Sequence, residues 1–256
     1  MDKHLAVMKR ASIKGGEVLK YYFGKNLKVI DKTRTNDFKT IADDKSEKEI
    51  IKILSKNFPE YNIIAEEIGE IRNGSDYTFV IDPLDGSYNF VLGLPDFSVS
   101  IALFHKKEII CGSVYCPMTD CLYYAQKNKG AYLNNKKLKI NQIDKINLAT
   151  VIYACGYDYS SRQFVKIFKN LELAKVKRYL NNWSVATDLC LVAAGKVEAM
   201  INNGDELYDY AAGKLIAREA GALITDLKGK KEKSDINNKF LVSNGTAIHN
   251  KIIKLL

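Results

Sequence analysis

The sequence predicts a layered fold of the α+β class, and three observations carry that prediction. Blocks of helical and strand periodicity alternate along the 256 residues, with no internal repeat, low-complexity tract or linker between them. Between Phe97 and Ala125 strand-like segments follow one another through short turns, which implies a substantial antiparallel or mixed sheet. A hydrophobic fraction of 46% against 27% charged residues is ordinary for a globular chain long enough to bury a large core.

Taken in order, Leu5, Met8, Ile13, Val18, Leu19 and Tyr22 mark a first amphipathic helix stopped by Gly24, with Gly15 and Gly16 weakening its middle. A polar stretch at 32–47 leads into a second helix through Ile50, Ile51, Ile53 and Leu54, where Asp43, Asp44 and Ser46 stand as N-terminal acceptors. A short strand at 63–65 ends in the acidic pair Glu66 and Glu67. Residues 77–81 read as a buried strand that stops at Pro83, which lacks the N–H of a central ladder. Strands follow at 97–104, 108–115 and 121–125, with a turn near Gly130. A strand at 151–153 opens an apolar and aromatic stretch reaching Tyr159 that suits either core or subunit interface. Helices at 162–173 and 184–195 come next, then a strand at 197–202 and a small-residue helix at 209–221. Strands at 222–226 and 240–243 and a helix at 249–256 complete the chain.

Composition narrows the function. The formal charge is +9, but Lys and Arg are interleaved with Asp and Glu and form no basic arm, so nucleic acid is not an expected partner. Such a surface does help draw in an anionic small molecule. No apolar run reaches the ~18 to 20 residues that span a bilayer, so no membrane partner is expected. Cysteines at 111, 116, 121, 155 and 190 lack zinc-knuckle spacing and read as packing residues. With no signal-peptide pattern, a reducing cytoplasm is the expected location. His4, His105 and His249 are expected to be solvated, which leaves imidazole catalysis and His-ligated zinc without support.

The acids stand out as a set. Asp82 and Asp85 emerge where a strand ends, Gly86 permits close backbone approach, and Ser87 adds a hydroxyl. Alone, the segment reads as turn material rather than a cation site. Two adjacent carboxylates at 66 and 67 repel unless solvent or a cation compensates. Asp209 opens a helix, and on local evidence Asp43 reads as a helix cap ahead of a catalyst. Hard oxygen ligands without nearby His or Cys favour Mg²⁺, and several carboxylates could hold ions that bind phosphate and activate water.

Lys32…Asp37-Phe-Lys-Thr40-x-x-Asp43, Ala65-Glu66-Glu67, Asp82-Pro-Leu-Asp-Gly-Ser-x-Asn-Phe90, Asp209-Tyr-Ala-Ala-Gly213 and Glu219-Ala-Gly221 resemble, in this order, the inositol monophosphatase family. These are Mg²⁺-dependent, often lithium-sensitive phosphatases within the fructose-1,6-bisphosphatase superfamily, and the likeness runs from the first helix to the segment Leu241-Val-Ser-Asn-Gly245. The resemblance implies a layered αβαβα sandwich, a single domain over 1–256 with sub-domains of roughly 1–140 and 141–256, and a homodimer. It implies a phosphomonoesterase using two or three Mg²⁺ ions, or Mn²⁺, and metal-activated water. By the same resemblance Glu67, Asp82, the Leu84 carbonyl, Asp85 and Asp209 bind metal. Asp43, Glu67 and Ser87 orient and deprotonate the water, while Asp85, Gly86, Ser87, Trp183, Ser184, Asn202 and Asp209 meet the substrate.

Two of the departures from the pattern bear on the substrate. Trp183 stands where the family often has Gly, and is open to a place at the pocket or in the core. Asn202 stands where inositol phosphatases tend to carry Glu. The substrate is therefore a small phosphorylated polyol or sugar, with fructose-1,6-bisphosphate, 3′-phosphoadenosine phosphate, NADP and histidinol phosphate as alternatives. A non-catalytic, phosphate-binding regulatory homologue is the rival of a different class, and the unbroken acid set argues against it.

Overall fold

The computed structural model describes residues 3–32, 37–157 and 159–256. The first half contains α1 (Lys3–Tyr22), β1 (Ile30–Asp31), β2 (Phe38–Lys39), α2 (Ile41–Asn57), β3 (Asn62–Ala65), β4 (Gly69–Ile71) and β5 (Tyr77–Asp85). It continues through α3 (Ser87–Val91), β6 (Ser98–His105), β7 (Glu108–Cys116), β8 (Cys121–Gln126), β9 (Ala131–Leu133) and β10 (Lys136–Lys137). After a 3₁₀ turn come β11 (Thr150–Cys155), α4 (Ser161–Leu173), β12 (Arg178–Leu180), α5 (Val185–Ala193) and β13 (Ala199–Asn203). The last elements are α6 (Leu207–Glu219), β14 (Leu223–Asp226), β15 (Lys239–Ser243) and α7 (Ala247–Ile253).

Eight strands form one sheet in the order β10-β9-β8-β7-β6-β5-β3-β4, and five form a second in the order β12-β11-β13-β15-β14. The two-residue alternation of strand side chains sets what lies on each face. Along β5, Phe79 and Ile81 share a core cluster with Met8 of α1 and Leu54 of α2. Val80, on the opposite face, joins Leu189 of α5 and Leu215 of α6. Along β11, Ile152 and Ala154 belong to that same middle cluster, whereas Val151 and Tyr153 pack with Ile167 of α4 and Ile248 of α7. The layers therefore run α1/α2, sheet, α5/α6, sheet, α4/α7, the αβαβα arrangement expected. Among the described residues no helix is long and apolar enough to cross a membrane.

Several expectations change. Gly15 and Gly16 do not weaken α1 but form its packing seam: a Cβ on Gly15 would sit 2.7 Å from Ile50 Cδ1, and one on Gly16 would enter the Tyr115 ring. The histidines are not simply solvated. His249 is buried between the hydroxyls of Thr225 and Ser243, His4 stacks against Phe58, and His105 stacks on Tyr77. Val151, Ile152 and Tyr153 are core, so that strand offers no subunit interface. β5 does not stop at Pro83. It continues to Asp85 through an irregularity in its register with β6, and that irregularity shapes the site.

Candidate active site

β3 and β5 run parallel with Ala65 beside Ile81, so Glu66 and Asp82 leave adjacent strands side by side. The Glu66 N–H donates to the Ile81 carbonyl at 3.2 Å. A regular strand would turn Asp82 and Asp85 to opposite faces, because they stand three positions apart. The register shift between them reverses that parity: Leu84 falls on the α1/α2 side with Ile81, and Asp85 turns toward α5. Pro83, which has no N–H to give, uses its carbonyl to accept from Ser46 of α2 at 2.9 Å. Asp82 Oδ1 accepts the Leu84 N–H at 2.9 Å and fixes the bend.

Gly86 follows at φ +93°, where a Cβ would lie 3.0 Å from the Asp96 carbonyl oxygen, so only glycine fits the turn. Ser87 begins α3, and its hydroxyl reaches both the Leu84 carbonyl at 3.0 Å and Asp43 Oδ1 at 3.3 Å. Asp43 is held in turn by Thr40, whose N–H and hydroxyl donate to its other oxygen at 2.8 and 2.7 Å. Capping and site geometry are therefore one arrangement, since Thr40 and Asp43 form the capping box of α2.

The Asp85 carboxylate sits on the N-terminus of α5. Its Oδ1 accepts the Val185 N–H at 2.9 Å, while Oδ2 accepts from Ala186 N–H at 3.1 Å and from the hydroxyls of Ser184 and Ser98 at 2.7 and 3.0 Å. A carboxylate there satisfies donors that the helix leaves unpaired. Asp209 forms the matching box at α6, where its Oδ2 accepts the Glu206 N–H at 2.8 Å.

These residues border one cleft of about 630 Å³, between the carboxyl ends of β3 and β5 and those of β11 and β13. Of the residues singled out in the sequence, Asp82, Leu84, Asp85, Gly86, Ser87, Trp183 and Asp209 line it. Ser184 lies behind Asp85, and Asp43 lies behind Ser87. Two expected residues are elsewhere. Glu67 does not line the cleft; its carboxylate pairs with Lys32 at 2.6 Å and Lys39 at 3.1 Å, and Glu66 takes the lining position. Asn202 is buried within β13 with its amide on the Asn238 carbonyl at 2.8 Å, and Asp205, just past the strand, lines the cleft instead. Trp183 is 57% exposed, so it is not core.

Glu66, Asp82, Asp85, Asp205 and Asp209 crowd acidic charge into this cleft, and no Lys or Arg is among its described lining residues. Burial pushes Glu66 up to about 7 against the pull of Lys32, which lies 2.8 Å away. Burial takes Asp43 and Asp85 to about 6 and Asp205 to about 7. Asp82 and Asp209 rise well above the carboxylate range, first through burial, then through repulsion from acidic neighbours that include Glu66 and Asp85. Lys32 is raised: burial pulls it down, but Glu66 and Glu67 outweigh that.

Such a donor set suits a hard divalent cation, which would favour the ionised forms. Among the described residues no three acidic, histidine or cysteine side chains are already closed into a cage; Asp82, Asp85 and Asp209 are each engaged by a local N–H donor and Glu66 by Lys32. Asp85 Oδ1, with a single protein donor, keeps capacity for a further partner.

Sequence reasoning did not single out Glu66, Asp205 or Tyr157 as cleft residues. Only Glu66 carried a signal, as the first member of the acidic pair at the strand end. Residues 1–256 match the inositol monophosphatase family. The chain is 35% identical to the fructose-1,6-bisphosphatase/inositol-1-monophosphatase of Aquifex aeolicus, with 100% of this chain and 96% of that protein covered. It is 37% identical to the Nus factor SuhB of Pasteurella multocida over 90% of this chain and 87% of that one. Its structure superposes on the IMPase of Thermotoga maritima with a TM-score of 0.90 at 30% identity, covering 99% of this chain and 96% of that one.

Proposed function

We propose a reaction from one premise: the chain belongs to the inositol monophosphatase family and is a phosphoric monoester hydrolase. Its substrate on this reading is a small phosphorylated polyol or sugar, and its cofactor is Mg²⁺. The observation that carries the reading is a single cleft bordered by Glu66, Asp82, Asp85 and Asp209 with the Ser87 hydroxyl bonded to Asp43 beside them.

Glu66, Asp82, the Leu84 carbonyl, Asp85 and Asp209 would hold the cations. Bound there, Mg²⁺ supplies Lewis acidity and lowers the pKa of water. The chain's own groups do the rest. Ser87 Oγ accepts a hydrogen bond from the attacking water while its own proton points to Asp43, so Asp43 Oδ1 receives the proton through the hydroxyl. Burial holds Asp43 at about 6, close enough to neutrality for it to act as that acceptor. Glu66 takes the part the resemblance gave to Glu67, because Glu67 is committed to Lys32 and Lys39. The Gly86 and Ser87 N–H groups, at the first turn of α3, have no intrahelical acceptor and suit phosphate oxygens. The water oxygen bonds to phosphorus, the ester P–O bond breaks, and the alkoxide takes a proton from solvent in the open cleft.

This reading further takes the chain as one domain whose sub-domains each carry one of the two large sheets, divided near residue 140, and as a homodimer. The five free thiols fit a reducing cytoplasm. The test is phosphate release from inositol monophosphate, fructose-1,6-bisphosphate, 3′-phosphoadenosine phosphate, NADP and histidinol phosphate, each with and without Mg²⁺. Release from at least one that requires the ion is expected. Silence on all of them with Mg²⁺ bound would move the reading to a non-catalytic, phosphate-binding homologue.

A further inference from the structure

Cys116 ends β7 and Cys121 begins β8, and the two are register partners across the hairpin that joins these strands. The ladder fixes how far apart they stand. Leu122 turns its backbone away from β7, its N–H donating to Asn134 Oδ1 at 2.8 Å and its carbonyl accepting the Asn134 N–H at 3.0 Å. Tyr115 and Leu122 are therefore a non-hydrogen-bonded pair. Antiparallel pairs alternate, which makes Cys116 and Cys121 a hydrogen-bonded pair with Cα atoms about 5.5 Å apart. Disulfides bridge Cα separations of roughly 4.4 to 6.8 Å, so the strands need not move to join these thiols.

Residues directly opposite in an antiparallel pair share a face. Cys116 belongs to the middle-layer cluster with Leu189 and Cys190 of α5, and Cys121 packs against that cluster. The turn between them is pinned twice: the Tyr115 hydroxyl donates to Asp120 Oδ1 at 2.8 Å, and Asn134 Nδ2 donates to the Asp120 carbonyl at 2.9 Å. The thiols are thus held opposite each other. They differ in access, since Cys116 is buried and Cys121 is partly exposed. Burial also pushes the Cys116 thiol up to about 12, so an oxidant meets Cys121 first.

A chain of hydroxyls leads from this pair to the acidic segment. Cys116 Sγ lies 3.8 Å from Thr187 Oγ1 of α5, which lies 2.8 Å from Ser184 Oγ. Ser184 has one proton, and Asp85 Oδ2 accepts it at 2.7 Å. Thr187 must then donate to Ser184, which leaves its oxygen to accept from the Cys116 S–H. A disulfide sulfur has no proton to give, so oxidation removes the first donor of a chain that ends on Asp85.

We propose that Cys116 and Cys121 form a reversible disulfide, and that its formation weakens divalent-cation binding at Asp85 through Thr187 and Ser184. The second part rests on the phosphatase reading, in which Asp85 is a cation ligand; the first does not. The oxidant is a low-molecular-weight disulfide. The Cys121 thiolate attacks one of its sulfurs and expels a thiolate, and the Cys116 thiolate then attacks Cys121 Sγ and expels the other. Two cysteines lose two electrons and two protons, and one small disulfide becomes two thiols.

Met118 is the only methionine between the two cysteines, so cleavage at methionine parts them. Full-length protein is equilibrated with glutathione disulfide or with reduced glutathione, its remaining thiols are blocked, and it is cut with cyanogen bromide. Fragments 9–118 and 119–200 should stay joined after the disulfide treatment until reduced, and separate after the other. Cys111, the other cysteine of the first fragment, packs in the opposite cluster with α1 and α2. Cys121→Ser should abolish the link. In calorimetric titration the Kd for Mg²⁺ should rise several-fold, up to about tenfold, in oxidised wild type. Under the same treatment Cys121→Ser should keep the value of the reduced protein. Separate fragments after oxidation, or a link that persists in Cys121→Ser, overturn the disulfide. A link that leaves the Kd unchanged, or no Mg²⁺ binding in either form, overturns the coupling to Asp85. If the link forms and shifts the Kd but no ester releases phosphate, the phosphatase reading falls and the redox pair stands.

Discussion

The Ser87 hydroxyl and the Asp43 carboxylate are hydrogen-bonded at 3.3 Å, joining the acidic segment after β5 to the first turn of α2. Removing the hydroxyl in Ser87→Ala should lower kcat by about 10²-fold or more, and Ser87→Thr, which keeps an oxygen at the same position, should retain most activity. Asp43→Asn should match Ser87→Ala, and the double variant should be little worse than either single one, because the two act on one proton. Additive losses in steady-state kinetics would show that they act separately.

Glu66 and Glu67 are adjacent and share Lys32, but only Glu67 also pairs with Lys39 and only Glu66 lines the cleft. Glu66→Gln should raise the Mg²⁺ concentration needed for half-maximal activity and cut kcat/KM by about 10²-fold, as loss of one charged ligand does. Glu67→Gln leaves the cleft carboxylates in place but removes the partner shared by Lys32 and Lys39, costing about 1 to 3 kcal/mol in urea unfolding. A larger catalytic loss in Glu67→Gln than in Glu66→Gln would return the ligand role to Glu67.

The buried acids make stability depend on pH. Asp43 and Asp85 sit at about 6 and Glu66 and Asp205 at about 7, above the ~4 of unfolded carboxylates. The folded state therefore holds protons that the unfolded state has already released. Their contribution is fully present below about pH 4 and is lost as pH rises through about 6 to 7. A divalent cation binds the ionised forms, so the gain in Tm on adding Mg²⁺ should be larger at pH 8 than at pH 5. Equal gains at both pH values in thermal melts would contradict this.

Lys214 is fully buried on α6, with its ammonium 2.9 Å from Glu232 and 3.0 Å from the Asn237 carbonyl. It fastens the loop after β14 to the helix that carries Asp209. Lys214→Met should cost about 3 to 5 kcal/mol in urea titration by leaving Glu232 uncompensated, and adding Glu232→Gln should recover part of that. No recovery in the double variant would mean that packing, not charge, sets the loss.

The chain's local signals were legible where a few consecutive residues carried the information. Asp82, Pro83, Leu84, Asp85, Gly86 and Ser87 could be read together because a bend, a close backbone approach and a hydroxyl occur in one short segment. Layering was legible for a similar reason, as in β11, where Ile152 and Val151 face different clusters by simple alternation. Choices between neighbours were not legible. Glu66 and Glu67 differ only in which side of a strand end they leave, and that depends on where Lys32 and Lys39 lie in space. Asn202 was placed by counting back from Asp209, but counting does not tell a residue within β13 from Asp205 beyond its end. His249 looked solvated in sequence because its partners Thr225 and Ser243 are brought to it from the strands β14 and β15. Pro83 suggested a strand end, whereas a register shift accommodates it.

The most direct test of the cation-assisted hydrolysis is the initial rate of phosphate release from inositol 1-phosphate as Mg²⁺ is titrated, in wild type and in Asp82→Asn. Asp82 is a cleft acid 2% exposed and under the influence of Glu66, Asp85 and Asp209 at once. The expected result is a rate that is negligible in chelator, saturates with Mg²⁺, and falls by about 10³-fold in the variant at every concentration. A rate that is independent of Mg²⁺, or an Asp82→Asn protein that matches wild type across the titration, would contradict it.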